Sequence, residues 1–521
     1  MSGLLFSGGR IHTGSGASAE ALLARDGRVA AVGGRAELSR AAAGAERVDL
    51  RGGLMVPGWS DAHVHFMWWA VQMGQVDLRD ATTLGVALEL VADRARELPE
   101  GAWLLGGRFD KNRWGRWPTA AELDRATGGR PAALRSRDGH ARWLNTAALR
   151  AASIGRDTES PAGGEIERGP DGLPTGVLKE NANLLIDRVV PGPSEAECLD
   201  AVRLGQREAW RCGITAIEDL EQANARDALL RLHARGELGL RVDMGIPRAD
   251  LDQAIAAGWR TGDGDEWLRT GHCKIFADGA LGSQTAALEE PYEGSDECGI
   301  LTIEADALSR EVVRAAAAGI AVAIHAIGDR AVRIALDAIE PTRRTHPGLR
   351  QRLEHVQLVR EEDLSRFGRL GVIASMQPLH ATSDRDLVDR YWGSHRAVRA
   401  YPWRTLASGG AVLAFGSDAP VEPIDPLLGI YAAVARQRPG DVDRWYPQQA
   451  LAVDEALAGY AAGVAYATGR EHERGTLAPG MLCDATIIDR DLLSLPSDGW
   501  LGARVTGTVT DGVIRFADGL G

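Results

Sequence analysis

Five places in this 521-residue chain end an apolar run on a side chain able to bind a cation or carry a proton. The first is residues 54–66, LMVPGWSDAHVHF. If the chain from Trp59 is a strand, His63 and His65 share one face while Val64 takes the other. Two neutral imidazoles side by side make half of a nitrogen-rich cation site, of the kind zinc prefers. The other four are Lys274 in HCKIFADG, His325 in AVAIHAIGD, His355 in RLEHVQ and Asp418 in LAFGSDAP. A lone His on an apolar strand is more often a satisfied core residue, and Ser-Asp after a strand is more often a cap or turn. Five separate strand ends that all offer nitrogen or oxygen favour one shared cation over five coincidences.

The elements that must position them alternate. Residues 304–318 have helical periodicity, 319–328 form a buried apolar strand, and Asp329 is placed to cap a helix through Ile339. Strands at 352–358, 371–378 and 411–420, with a helix near 360–369, continue the pattern. Such alternation means parallel strands with crossover helices, an α/β fold, although periodicity alone does not separate a barrel from an open sheet. In a (β/α)8 barrel the C-terminal strand edge is where catalytic side chains collect. No G-x-G-x-x-G follows the first strand, which argues against a dinucleotide. Between 66 and 192 the alternation fails: 102–109 and 131–139 read as strands, with KNRWGRWP and PAGGEIERGPDGLP as loops between and beyond them. We read this stretch as an insertion, because a structureless loop of that length is implausible in a compact domain. Short strands with Asp26-Gly27 and Asp511-Gly512 turns mark both ends of the chain, pointing to one small β domain built from 1–57 and 470–521.

Composition limits the partners. A net charge of −13 repels phosphates, which argues against nucleic acid and anionic membrane and leaves a small molecule or a second copy of the chain (a homodimer). The five cysteines are scattered without a Cys-x-x-Cys pair, the start lacks a basic segment followed by a long apolar run, and no run of eighteen apolar residues occurs; the expected location is the cytoplasm. Lysine occurs only at Lys111, Lys179 and Lys274, against 56 arginines. In a chain so biased, a Lys inside an apolar strand needs a reason: a desolvated Lys gives up its proton and an Arg does not. The plain reading of Lys274 is an ion pair with Asp278 or Glu218, and Glu218 is also a rival for any bridging ligand.

Taken in order, PGWSDAHVHF, KIFADGALGS, HAIGDRAV, EHVQ, AFGSDAPVE and GTLAPGMLCDATIID give the chain a close resemblance to the amidohydrolase superfamily, within it to the N-substituted formamide deformylase-like group. The resemblance implies an α/β (β/α)8 TIM barrel over 58–469, with His63 and His65 on strand 1, a carboxylated Lys274 on strand 4, His325 and His355 on strands 5 and 6, and Asp418 on strand 8. It implies one or two divalent cations, most simply Zn2+, bridged by the CO2-derived carbamate, with Asp418 as the catalytic proton carrier. The implied reaction is hydrolysis of an amide C–N bond. Ester or lactone hydrolysis on the same centre is the alternative, and an inert binding or assembly barrel is the remote one. Counting back from Asp418 puts 240–246 on strand 3 and 213–219 on strand 2, so 102–109 and 131–139 fall in the 66–192 insertion. The deaminase branch carries a Glu three residues after the strand-5 His, where this chain has Gly328. The insertion holds Trp68, Trp69, Trp103, Trp114, Trp117 and Trp143, either as a roof over the barrel mouth or as packing. Trp69, Arg108, His140 (in DGHARWLN) and Gln377 are the expected substrate contacts, while Asp278-Gly279 reads as a turn.

Overall fold

The computed structural model describes residues 3–16, 18–99, 101–220 and 223–521, so Met1, Ser2 and Ala17 of the N-terminal piece lie outside the described residues. Eight strands pair side by side, all parallel: β1 (Trp59–Val64), β2 (Ile214–Asp219), β3 (Arg241–Pro247), β4 (Leu268–Phe276), β5 (Val322–Ala326), β6 (Arg352–His355), β7 (Ile373–Met376) and β8 (Leu413–Phe415). Nearly every residue in them is buried, as expected of parallel strands covered on both faces. The ring is drawn shut just past β8, where the Asp418 amide donates to the His63 carbonyl at 2.7 Å and the His65 amide to the Ala419 carbonyl at 2.9 Å. Gly416 makes that approach possible: a Cβ there would stand 2.5 Å from the His63 amide nitrogen. Asp61 on β1 accepts from the Ser417 amide (3.0 Å) and hydroxyl (2.5 Å), fastening the same seam.

Helices Ala305–Ala317, Asp329–Ile339 and Glu361–Leu370 fall where periodicity placed them. Asp329 does not cap its helix, however. Gly328 holds the cap position, and the Asp329 carboxylate accepts instead from the Glu289 amide at 3.0 Å, tying the β4 loop to the helix start.

Strands from both chain ends form one eight-strand sheet, in which Ala485–Ile488 pairs antiparallel with Leu54–Pro57. Asp26-Gly27 and Asp511-Gly512 are two-residue turns with positive φ throughout, as tight hairpins need. The first of them joins Arg28–Gly33 to Ser18–Arg25, a strand whose unalternating ALLA run hid it in the sequence.

The stretch after β1 carries a six-strand mixed sheet ordered 164–168, 174–180, 141–144, 132–136, 104–109, 76–77. Two of its expected loops are structured. KNRWGRWP contains the short helix Lys111–Trp114, and PAGGEIERGPDGLP contains the strand Gly164–Arg168 and the start of Pro174–Glu180. These two strands pair with each other as a local antiparallel hairpin across residues 169–173. Phe109, Trp114 and Trp143 pack together inside this sheet layer, with Trp117 against Phe109. Among the described residues no helix is long and apolar enough to cross a membrane.

Candidate metal centre

The barrel brings His63, His65, Lys274, His325, His355 and Asp418 to one mouth, where all six line a single cavity of about 1430 Å³. The tightest group is His63, His355 and Asp418, each with a ligand atom within 4.8 Å of the others. Asp418 Oδ1 lies 3.4 Å from Nε2 of both His63 and His65. Lys274 Nζ is 3.2 Å from His63 Nε2, and the His325 and His355 rings are 4.5 Å apart. His355 and Asp418 hold φ of 73° and 60°, in the left-handed region that non-glycine residues seldom occupy, and Val356 follows at 49°. Backbone held in that region clusters at functional sites, where the surrounding structure must over-determine it.

The donor set suits a divalent cation. With Glu354 Oε2 accepting, the 2.7 Å contact from His63 Nδ1 puts the hydrogen on Nδ1 and leaves the Nε2 lone pair facing the cluster. His325 Nε2 donates to the Gly279 carbonyl at 3.0 Å, which leaves Nδ1 as its free donor atom. Nδ1 of His355 is buried with no partner among the described residues. Burial, reinforced by neighbouring positive groups, pushes His63, His325 and His355 well below the ordinary histidine value, so each is a neutral imidazole. Burial also lowers Lys274, to about 8, against the opposing pull of the Glu354 and Asp418 carboxylates. Burial alone would raise Asp418, but its contacts with the His63 and His65 side chains hold it below the usual carboxylate range. Asp418 is thus an ionised carboxylate beside the neutral His63 imidazole, a pairing that suits a cation.

Behind these groups runs a buried chain that sequence reasoning missed. Glu354 Oε1 lies 2.6 Å from Arg352 Nε, a charge contact without hydrogen-bond alignment; Arg352 donates to Glu218 at 2.7 Å, and Glu218 meets His272 Nδ1 at 2.6 Å. Glu218 is thereby spent on Arg352 and His272 and is not a bridging ligand, nor does it pair with Lys274. Asp278 is not the turn expected of it: it forms a β-bridge with Leu301, and its carboxylate accepts from the amides of Ile327, Gly328 and Ala287, tying the loop after β4 to the loop after β5. Burial drives Asp278 up to about 7 despite those three donors. His380, just after β7, is a second omission: Gln357 donates to its Nδ1 at 3.1 Å, so Nε2–H faces Asp418 Oδ2 at 3.7 Å. Replacing Glu354 with Gln, which removes the carboxylate behind His63, is expected to weaken zinc about 10–100-fold in competition with a chromophoric chelator. Unchanged affinity would separate Glu354 from the ligand set.

The expected substrate contacts divide. His140 lines the cavity, its ring 5.2 Å from that of His325, with Nδ1 donating to Glu180 Oε2 at 2.8 Å. Burial would lower His140, but Glu180 outweighs it and holds the imidazole up to about 9. Arg108 and Trp69 do not line the cavity. Arg108 turns to Asp77 (Nε–Oδ1 3.0 Å), and Trp69 packs on Phe66 and the core beneath its helix; Trp68, one position earlier, takes the cavity wall instead. Gln377 also stands outside the lining, with Nε2 3.4 Å from His63 Nδ1, behind the ligand rather than in the mouth. Of the insertion's six Trp, Trp68 and Trp117 line the cavity and the others pack.

The sequence model of the amidohydrolase family matches residues 46–516. A putative amidohydrolase, YtcJ, of Bacillus subtilis (strain 168) is 32% identical over 530 residues, covering 98% of this chain and 99% of that protein. The N-substituted formamide deformylase of Arthrobacter pascens is 31% identical over 517 residues, covering 96% and 95%. Among solved structures, an uncharacterized metal-dependent hydrolase from Pyrococcus horikoshii OT3 superposes with a TM-score of 0.78 at 28% identity, covering 95% of this chain and 99% of that one. With its barrel, its cluster at the strand ends and a match over nearly its whole length, the chain belongs to the amidohydrolase family.

Proposed function

We propose that the chain hydrolyses an amide C–N bond of a small molecule, of the N-substituted formamide or acyl-amine type. The carrying observation is the meeting of neutral imidazoles, one ionised Asp and one deprotonatable Lys at the floor of a large cavity. The similarity to a formamide deformylase supports the acyl class. One or two divalent cations, most simply Zn2+, would be held by His63, His65, His325, His355, Asp418 and Lys274 as its carbamate; when bound they supply a water acidic enough to ionise at neutral pH and polarise the substrate carbonyl. Asp418 takes the proton of the attacking water and returns it to the leaving amine, a task that suits an ionised carboxylate at the centre of the cluster. Trp68 and Phe276 wall the mouth with apolar surface and limit competing water. His140, its Nδ1 fixed by Glu180, presents its other ring edge to the bound substrate. Deamination fits poorly: a side chain at position 328 would run into the Ala287 carbonyl, 1.9 Å from where its Cβ would lie.

The test is amine release from a panel of formamides, acyl amines, esters and lactones by chain reconstituted with zinc and bicarbonate. Amine with its matching acid is the expected product pair. Turnover confined to esters or lactones would move the reaction to C–O bonds, and no turnover by fully metallated chain would overturn the proposal. Dialysis against a chelator is expected to lower the rate by about 10²-fold or more, with zinc restoring it. A rate that survives complete metal removal would end the cation reading.

A further inference from the structure

One lobe of the cavity carries charge that the hydrolytic chemistry leaves unused. Strands Ala132–Ser136 and Ala141–Leu144 pair antiparallel with Arg135 directly opposite Arg142. Like charges across a ladder are destabilising unless something answers them. Arg142 is buried; its guanidinium meets Asp187, while its Nε has no partner among the described residues. The Arg135 guanidinium has no hydrogen bond or ion pair among the described residues and lies over the Trp68 ring, its Cζ 4.7 Å from the centroid. A ring face attracts a cation but cannot neutralise it. Trp68 in turn packs against His65, ring centroids 5.6 Å apart, so the unanswered guanidinium stands one indole away from the metal-binding cluster. Both arginines line the cavity of a chain whose net charge is −13.

We propose that Arg135, backed by Arg142, receives a carboxylate on the substrate, so that the preferred acyl amines carry a carboxylate about an indole's width from the scissile bond. This rests on the hydrolase reading and names its substrate class. A guanidinium grips a carboxylate through two parallel N–H donors, and the rigid Trp68 sets the span between that grip and the reacting carbonyl. Apolar Met67 and Val71 line the same cavity and lower the polarity around the pair.

A matched pair tests it: an N-formyl ω-amino acid and its methyl ester, compared on zinc-loaded chain. The acid is expected to show kcat/KM at least about 10-fold higher, mostly through KM, since the grip is present before and during reaction. In Arg135→Leu that acid-to-ester ratio falls toward one, and in Arg135→Lys part of it remains. Equal kcat/KM for the pair in the wild type, or an unchanged ratio in Arg135→Leu, overturns the inference while leaving the hydrolase reading intact. If no amide is cleaved at all, calorimetry with N-acetyl-β-alanine decides separately. Binding that weakens about 10-fold or more in Arg135→Leu of wild-type zinc content supports the site. Equal affinity, or no saturable binding to wild type, removes it.

Discussion

Lys274→Ala is expected to lower turnover by on the order of 10³-fold, and short-chain carboxylic acids such as formate or propionate to restore part of it. The size follows from the several kcal/mol that a catalytic metal contributes, at about 1.4 kcal/mol per decade of rate. The rescue follows from what the side chain offers. As an ammonium, Lys274 would sit 3.2 Å from His63 Nε2 and repel any cation there. As a carbamate it presents two anionic oxygens to the same space, and a small carboxylate can occupy the volume that alanine leaves. Burial has prepared the conversion by bringing Lys274 down to about 8, since only the neutral amine adds CO2. Reactivation of metal-free chain by zinc should therefore depend on bicarbonate and run faster above pH 8 than near pH 6, where the amine is almost wholly protonated. Full activity in Lys274→Ala, or reactivation indifferent to bicarbonate, would assign the bridging position to another group.

The groups legible in the sequence were those at the C-terminal ends of strands, because a polar residue closing an apolar run breaks the local pattern where a barrel exposes it. His63, His65, Lys274, His325, His355 and Asp418 all announce themselves that way, and all line the cavity. Glu354 and Arg352 do not. They alternate with Leu353 and His355 on β6, and alternation reads as an ordinary half-buried strand, although both side chains are fully buried and aimed at partners on β1 and β2. Only the closing of the ring, which brings residues about 290 positions apart into contact, reveals what they do. Trp69 and Arg108 failed for the opposite reason. Their types suggested a binding wall, but one step along a helix or strand turns a side chain to another face, and Trp68 held the position that Trp69 was given. Arg135 was invisible because an arginine in an Arg-rich chain carries no compositional signal. Its meaning comes from having no acid beside it among the described residues.

Arg352→Met is the substitution expected to cost the fold most. Arg352 is wholly buried between Glu218 and Glu354 and also donates to the Ala62 carbonyl at 2.9 Å, so it joins β6 to β2 and β1 across the barrel interior. Methionine fills similar volume without the charge, leaving buried carboxylates uncompensated. Breaking a buried pair from one side costs about 3–5 kcal/mol, far more than the net worth of the intact pair. A clear fall in the thermal midpoint of metal-free chain is expected. Adding Glu218→Gln should recover part of it, because the charge left without its partner is then gone. The pH dependence gives a sharper reading. In the native chain burial would raise Glu218, but Arg352 and His272 overcome it and leave its pKa lowered, so the Glu218 contribution is present above the unfolded carboxylate value and is lost as pH falls through the folded one. Without Arg352 the sign reverses: burial raises Glu218, the folded state binds its proton more tightly than the unfolded chain does, and stability grows as pH falls. The deficit of Arg352→Met against wild type should therefore shrink from pH 8 to pH 5. A deficit constant over that range would mean that His272 alone keeps Glu218 ionised, and that Arg352 acts through its hydrogen bond to β1 instead.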